Sequence, residues 1–142
     1  MGGRQHYLRW CPETWLHWER CGLAYDSTVG YADAIGFRAG TCIPYRPWLP
    51  ALNREANLLE IPLLVMDRTL LGYMGLTEQQ SLAAVLELLS RCRVVGGVFT
   101  LLWHNGSLTE PRYCRLYQKL LDALGGCGKY DWRSERDNCF DE

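Results

Sequence analysis

The chain has 142 residues, with Lys+Arg 15 against Asp+Glu 16 and a formal net charge of -1, which is room for one domain. That balance gives no long-range pull toward nucleic acid or anionic lipid, and 48% hydrophobic with 22% charged residues excludes a disordered chain. The most apolar stretch, 58–76, is interrupted by Glu60, Asp67 and Arg68, so no run reaches the ~18 apolar residues of a membrane span.

The start, Met1-Gly2-Gly3-Arg4-Gln5-His6, has no apolar core and does not read as a secretory signal. The first β-type run covers 4–10. Pro12 then sits where a first helical turn tolerates it, and a helix through Trp15, Leu16, Trp18 and Glu19 stops at Cys21-Gly22. A strand over 23–29 follows and ends in polar groups. Gly36-Phe37-Arg38-Ala39-Gly40 is a short run between glycines. Pro44, Pro47 and Pro50 enforce an extended, irregular segment.

The stretch 58–66 reads as a buried strand with a bulge or edge at Pro62. Thr77-Glu78-Gln79-Gln80 is a capping box opening a helix with Leu82, Val85, Leu86 and Leu89 on one face. Gly96-Gly97 leads into a buried strand over 98–103, and His104-Asn105-Gly106 follows directly. Thr109 is expected to cap a helix that turns Tyr113, Leu116, Tyr117, Leu120, Leu121 and Leu124 inward. The domain is therefore placed at 1–126, with a polar tail at 127–142.

The seven cysteines, at 11, 21, 42, 92, 114, 127 and 139, include no C-x-x-C, which gives zinc-ribbon and thioredoxin-like readings no support. An odd count without a secretory signal favours free thiols over a disulfide framework, and with it a cytoplasmic setting.

Strands alternating with helices imply parallel strands in an α/β architecture. Chemistry in such folds sits just beyond the C-terminal ends of the strands. That rule selects Asp26, Asp67 and His104. Arg4, His6 and Arg38 lie in or beside short strands. Each has a plain structural alternative. His104 and His6 could be satisfied strand histidines, Arg4 and Arg38 structural ion-pair partners, and Asp26 a turn closer. Asp67-Arg68 reads as a turn, and His17 as a surface residue. Most of the six tryptophans fall at core spacing. Trp48, inside the proline segment, is the candidate loop platform, and Trp103 is expected to flank His104.

Several of these segments together resemble the polysaccharide deacetylases, metal-dependent carbohydrate esterases built on a distorted (β/α) barrel. The resemblance is carried by Gly3-Arg4-Gln5-His6-Tyr7-Leu8-Arg9-Trp10, Trp15 and Gly22-Leu23-Ala24-Tyr25-Asp26-Ser27-Thr28, then by Gly36-Phe37-Arg38-Ala39-Gly40-Thr41, Leu59-Glu60-Ile61-Pro62-Leu63 and Leu101-Leu102-Trp103-His104-Asn105. It covers roughly Gly3 to Leu124. It implies that His104 is the late acid of a hydrolytic site, that Arg4 is the arginine that orients the base, and that Asp26 is the carboxylate tuning the histidine. Arg38, Trp103, Trp48 and His6 are then expected to line the substrate site. The substrate implied is an N- or O-acetylated carbohydrate.

The family's Asp-Asp and His-x-x-x-His motifs, which hold a zinc-like divalent metal and the base, should precede Arg4, and only Met1-Gly2-Gly3 does. The expected architecture is accordingly a partial (β/α) barrel of the polysaccharide deacetylase type without its N-terminal strands, carrying no metal ligands or cofactor of its own. A whole barrel runs to ~250 residues. Expected partners are a carbohydrate, and a second copy or a missing N-terminal half pairing with open sheet edges, with no nucleic acid and no membrane. The alternative is a non-catalytic carbohydrate-binding or subunit-interaction module, or an inactive truncated paralogue.

Overall fold

The computed structural model of the chain describes residues 1–125. The tail expected at 127–142, with Cys127 and Cys139, lies outside the described residues. In chain order the elements are β1 (Gly2–Gly3), α1 (Pro12–Arg20), β2 (Tyr25–Asp26), β3 (Trp48–Leu49), β4 (Arg54–Glu55), β5 (Leu59–Glu60), β6 (Val65–Met66), α2 (Glu78–Val94), β7 (Leu101–Leu102) and α3 (Pro111–Gly125). Strands β1, β2 and β5 form a parallel sheet with β2 in the centre. Strands β3 and β4 form an antiparallel hairpin, and β6 pairs in parallel with β7. Among the described residues these sheets are small and none closes into a barrel. No helix among them is long and apolar enough to cross a membrane.

Helix α1 begins as its sequence dictates. Pro12 occupies the first turn, and the Thr14 hydroxyl accepts from the Cys11 N–H at 3.1 Å. It ends at Gly22, whose φ of 72° is the left-handed value that closes a helix. The run 4–10 is not a strand. Only Gly2–Gly3 pairs with β2, and a single 3-10 turn at His6–Leu8 follows.

The expected continuous strand over 58–66 is divided. Pro62 cannot donate to a ladder, and the chain leaves β5 in one sheet to enter β6 in another. The Thr100 side chain bridges the gap: its hydroxyl donates to the Pro62 carbonyl at 2.5 Å and accepts from the Leu64 N–H at 3.0 Å. Gly30 lies against this crossing, and a Cβ there would meet the Leu63 carbonyl oxygen at 2.7 Å.

The capping box forms as predicted. The Thr77 hydroxyl accepts from the Gln80 N–H at 3.2 Å, and the Gln80 side chain accepts from the Thr77 N–H at 3.0 Å. The buried face of α2 is Ser81, Val85, Leu88, Leu89 and Cys92, while Leu86 is exposed. Val85 and Leu89 belong to both faces, so the expected stripe is rotated by only about 70°, roughly a fifth of a turn. Thr109 does not cap α3; its hydroxyl donates to the Gly106 carbonyl at 2.8 Å. Glu110 precedes the helix, and its carbonyl accepts from Tyr113 and Cys114. Helix α3 buries Tyr113, Leu116 and Leu120 and exposes Leu121.

Two apolar clusters hold these pieces. The larger joins β6, α2 and α3 through Leu64, Val65, Val85, Leu88, Tyr113, Leu116 and Leu120. The smaller joins α1 to the hairpin through Trp15, Val29, Leu49, Ala56 and Leu58. Cys11, Cys21, Cys42, Cys92 and Cys114 are free thiols, with Cys42 and Cys92 buried in the larger cluster as small apolar groups.

Candidate functional site

The site is built at the C-terminal ends of β6 and β7. Their parallel register sets Val65 against Leu101 and Met66 against Leu102. Asp67 is the next residue beyond β6, and His104 lies two residues beyond β7. Two neighbouring strand ends therefore deliver one carboxylate and one imidazole to the same place. Asp67 is fully buried. Its Oδ1 lies 2.6 Å from His104 Nδ1 and accepts from the Arg68 N–H at 2.8 Å. Its Oδ2 accepts from the His104 N–H at 3.1 Å.

Both the ring and the backbone of His104 are thus anchored on a single carboxylate. With Nδ1–H donated to Asp67, the tautomer is fixed and Nε2 is left as the ring nitrogen for exchange with a ligand. The ring is half-exposed and lines a cavity of about 320 Å³ with Arg4, His6, Tyr7, Arg68 and Tyr73. Such a histidine can pass a proton to or from a bound group.

The cavity wall opposite is the segment after β1. Arg4 donates from Nε to the Ser27 carbonyl at 2.7 Å and from Nη2 to the Ser27 hydroxyl at 2.9 Å. Tyr7 and Leu8 hold φ of 57° and 52°, the left-handed region that non-glycine residues avoid. Leu8 is buried beneath this turn, while Tyr7 stands exposed at the cavity with Arg9 over its ring at 5.6 Å. Strained turns of this kind recur at ligand sites, where surrounding contacts offset their cost. Arg68 pairs with Glu110 at 3.2 Å and lies over the Tyr113 ring at 5.0 Å, which ties the cavity rim to the start of α3.

The residues selected from the sequence separate into two groups. His104, Arg4 and His6 come together on the cavity, with His6 on the 3-10 turn and not in a strand. Asp26, Arg38, Trp103 and Trp48 are not among its lining residues. Asp26 does not hold the histidine. It is fully buried at the end of β2, where its Oδ1 accepts from the Thr28 hydroxyl, and the carboxylate on His104 is Asp67. Arg38 donates to the Gly30 carbonyl at 2.9 Å. Trp103 packs against Tyr117 and Tyr113, with ring centroids 5.0 and 6.5 Å away. It follows β7 directly, and its ring is taken into the α3 side of the strand. Trp48 is exposed on the β3–β4 hairpin.

Asp67 is the functional residue that a turn reading undervalues. It does close a turn on Arg68, yet the same carboxylate also reaches across to the next strand end. The available signal was its position, one residue past an apolar strand, the same kind of position that selects His104. Tyr7 and Tyr73 carried no signal of this kind.

Among the described residues, no three His, Cys, Asp or Glu side chains converge as a metal-holding group. Comparison with protein-family models, with curated proteins and with solved structures gives no match.

Proposed function

We propose that the chain supplies the acid side of a hydrolytic pocket of the polysaccharide deacetylase type, acting on N- or O-acetylated carbohydrate. In this reading the fold is a portion of a (β/α) barrel. The observation that carries it is the His104–Asp67 pair at two adjacent parallel strand ends, with the ring open to the cavity. Departure of an amine or alkoxide from a tetrahedral intermediate requires a proton, and a histidine oriented by a carboxylate is suited to deliver it. Arg4 and His6 on the same cavity support a polar acyl-carbohydrate as ligand. In this reading His104 and Asp67 supply the acid alone, and the base is a group other than these two.

A second reading is a carbohydrate-binding module without turnover. The exposed Tyr7 and Tyr73 rings on the cavity favour it, since flat rings can cover the apolar face of a sugar. One experiment separates the readings. Acetylated sugar oligomers are titrated into the labelled chain by NMR, and acetate release is followed with added zinc. Turnover lost in His104→Ala supports the hydrolase. Binding that survives His104→Ala without any turnover supports the module. Absence of both binding and turnover refutes both.

A further inference from the structure

Beneath the cavity wall lies a buried pair of acids that the proposed chemistry does not use. The parallel register sets Asp26 of the central strand β2 directly against Glu60 of β5. Both side chains are fully buried. Glu60 is held from two sides: its Oε2 accepts from the Trp15 indole N–H at 2.9 Å and its Oε1 from the Val29 N–H at 3.0 Å. Asp26 Oδ1 accepts from the Thr28 hydroxyl, but its Oδ2 is buried with no donor. Residues paired across adjacent parallel strands present their side chains to the same face of the sheet, which sets the two carboxyls side by side.

Two carboxylates cannot hydrogen-bond to each other, because both only accept. An orphaned buried oxygen beside a second buried negative charge would be costly on both counts. One proton between Asp26 Oδ2 and Glu60 removes both costs: it satisfies the orphan and leaves a single negative charge. Among the described residues, the other ionisable groups that interact with the pair are Arg4 and Tyr45. Arg4 is a fixed positive charge, and burial together with the two acids pushes the Tyr45 hydroxyl up to about 12, so it stays neutral.

The pair is also wired to the cavity. The Gln5 N–H donates to Thr28 Oγ1 at 3.0 Å, and that hydroxyl donates onward to Asp26 Oδ1. The intervening Ser27 accepts both Arg4 bonds. Arg4 and Gln5 begin the wall that carries the strained Tyr7–Leu8 turn. We propose that Asp26 and Glu60 share a single proton, and that this proton pins the Arg4–Leu8 wall of the cavity to the sheet beneath it. The inference is independent of which ligand the cavity takes.

Burial raises both members from their ordinary values, Glu60 to about 7 against a usual 4.5. The folded chain therefore keeps a proton that the unfolded chain has already lost. Stability from this pair is fully present below about pH 4.5 and is lost as pH rises toward 7, with the folding constant falling about tenfold per pH unit for one proton.

Asp26→Asn tests this directly, because its amide oxygen can still accept from Thr28 while its N–H replaces the shared proton. Urea unfolding of the whole chain is measured from pH 5 to 8 for both proteins, with amide exchange protection at Gln5. The expected result is a wild-type folding constant that declines across this range relative to a flat Asp26→Asn. Gln5 protection should weaken at pH 8 in wild type and persist in Asp26→Asn. Parallel pH profiles for the two proteins would overturn the proposal. Should Asp26→Asn fail to fold, the wild type still decides by infrared spectroscopy. A buried protonated-carboxyl band is expected at pH 6 and should vanish by pH 9; its absence at pH 6 overturns the proposal.

Discussion

Replacing Asp67 with Asn probes the arrangement on which the proposed chemistry depends. The substitution preserves volume in a fully buried position, so packing is held constant and the hydrogen bonds alone change. Asp67 accepts three: from Arg68 N–H and His104 Nδ1 on Oδ1, and from His104 N–H on Oδ2. An amide has one accepting side. With its oxygen kept toward Nδ1, its NH₂ opposes the His104 N–H and strands two buried donors. With the amide flipped, the NH₂ opposes the Arg68 N–H and forces the imidazole to accept at Nδ1. A buried donor without a partner costs about 1–3 kcal/mol, and the surviving bonds lose the strengthening that a carboxylate gives them. The total expected loss is about 3 kcal/mol. Urea unfolding measures it, and nitrogen-15 NMR of His104 reports the tautomer. The wild type should show Nδ1–H as the dominant neutral form, and Asp67→Asn should show a mixture or the reverse. A variant within about 0.5 kcal/mol of wild type and with an unchanged tautomer would show that Asp67 does not orient the ring.

Trp15→Phe removes one of the two N–H donors on Glu60 and should cost about 2 kcal/mol in urea unfolding. It should also move the pH-dependent loss of stability to higher pH, because that donor favours the charged form of Glu60. A pH profile unchanged from wild type would contradict this. Leu116→Ala, at a fully buried position where α3 meets the larger cluster, should destabilise by roughly 2–5 kcal/mol in chemical denaturation. Thr77→Ala removes the α2 cap and should cost about 1 kcal/mol, read as a lower thermal midpoint with the cavity's NMR signals unmoved.

How far the sequence could be read depended on how local each cause was. Helices α1 and α2 were legible because Pro12, Gly22 and the Thr77–Gln80 box act within a few residues of themselves. Helix rotation was less so: Leu86 and Leu89 fit one stripe equally well on paper, and only packing against the turn at Thr69–Tyr73, β6 and α3 buries Leu88 and leaves Leu86 exposed. Pro62 was readable as a disturbance in a strand. That it separates two sheets follows from Thr100, 38 residues away, filling the gap with its hydroxyl.

By itself, the sequence determined the local elements and one end of the site: an apolar strand followed by His104 presents an imidazole at a strand tip, whatever surrounds it. Which carboxylate meets that imidazole was decided by tertiary structure. Asp26 and Asp67 both follow apolar runs, and nothing in their immediate neighbours distinguishes them. The pairing of β6 with β7 brings Asp67 within 2.6 Å of His104, while the pairing of β2 with β5 commits Asp26 to Glu60. Strand register is a contact between distant segments, so the assignment of each acid to its partner arises only when the sheets form.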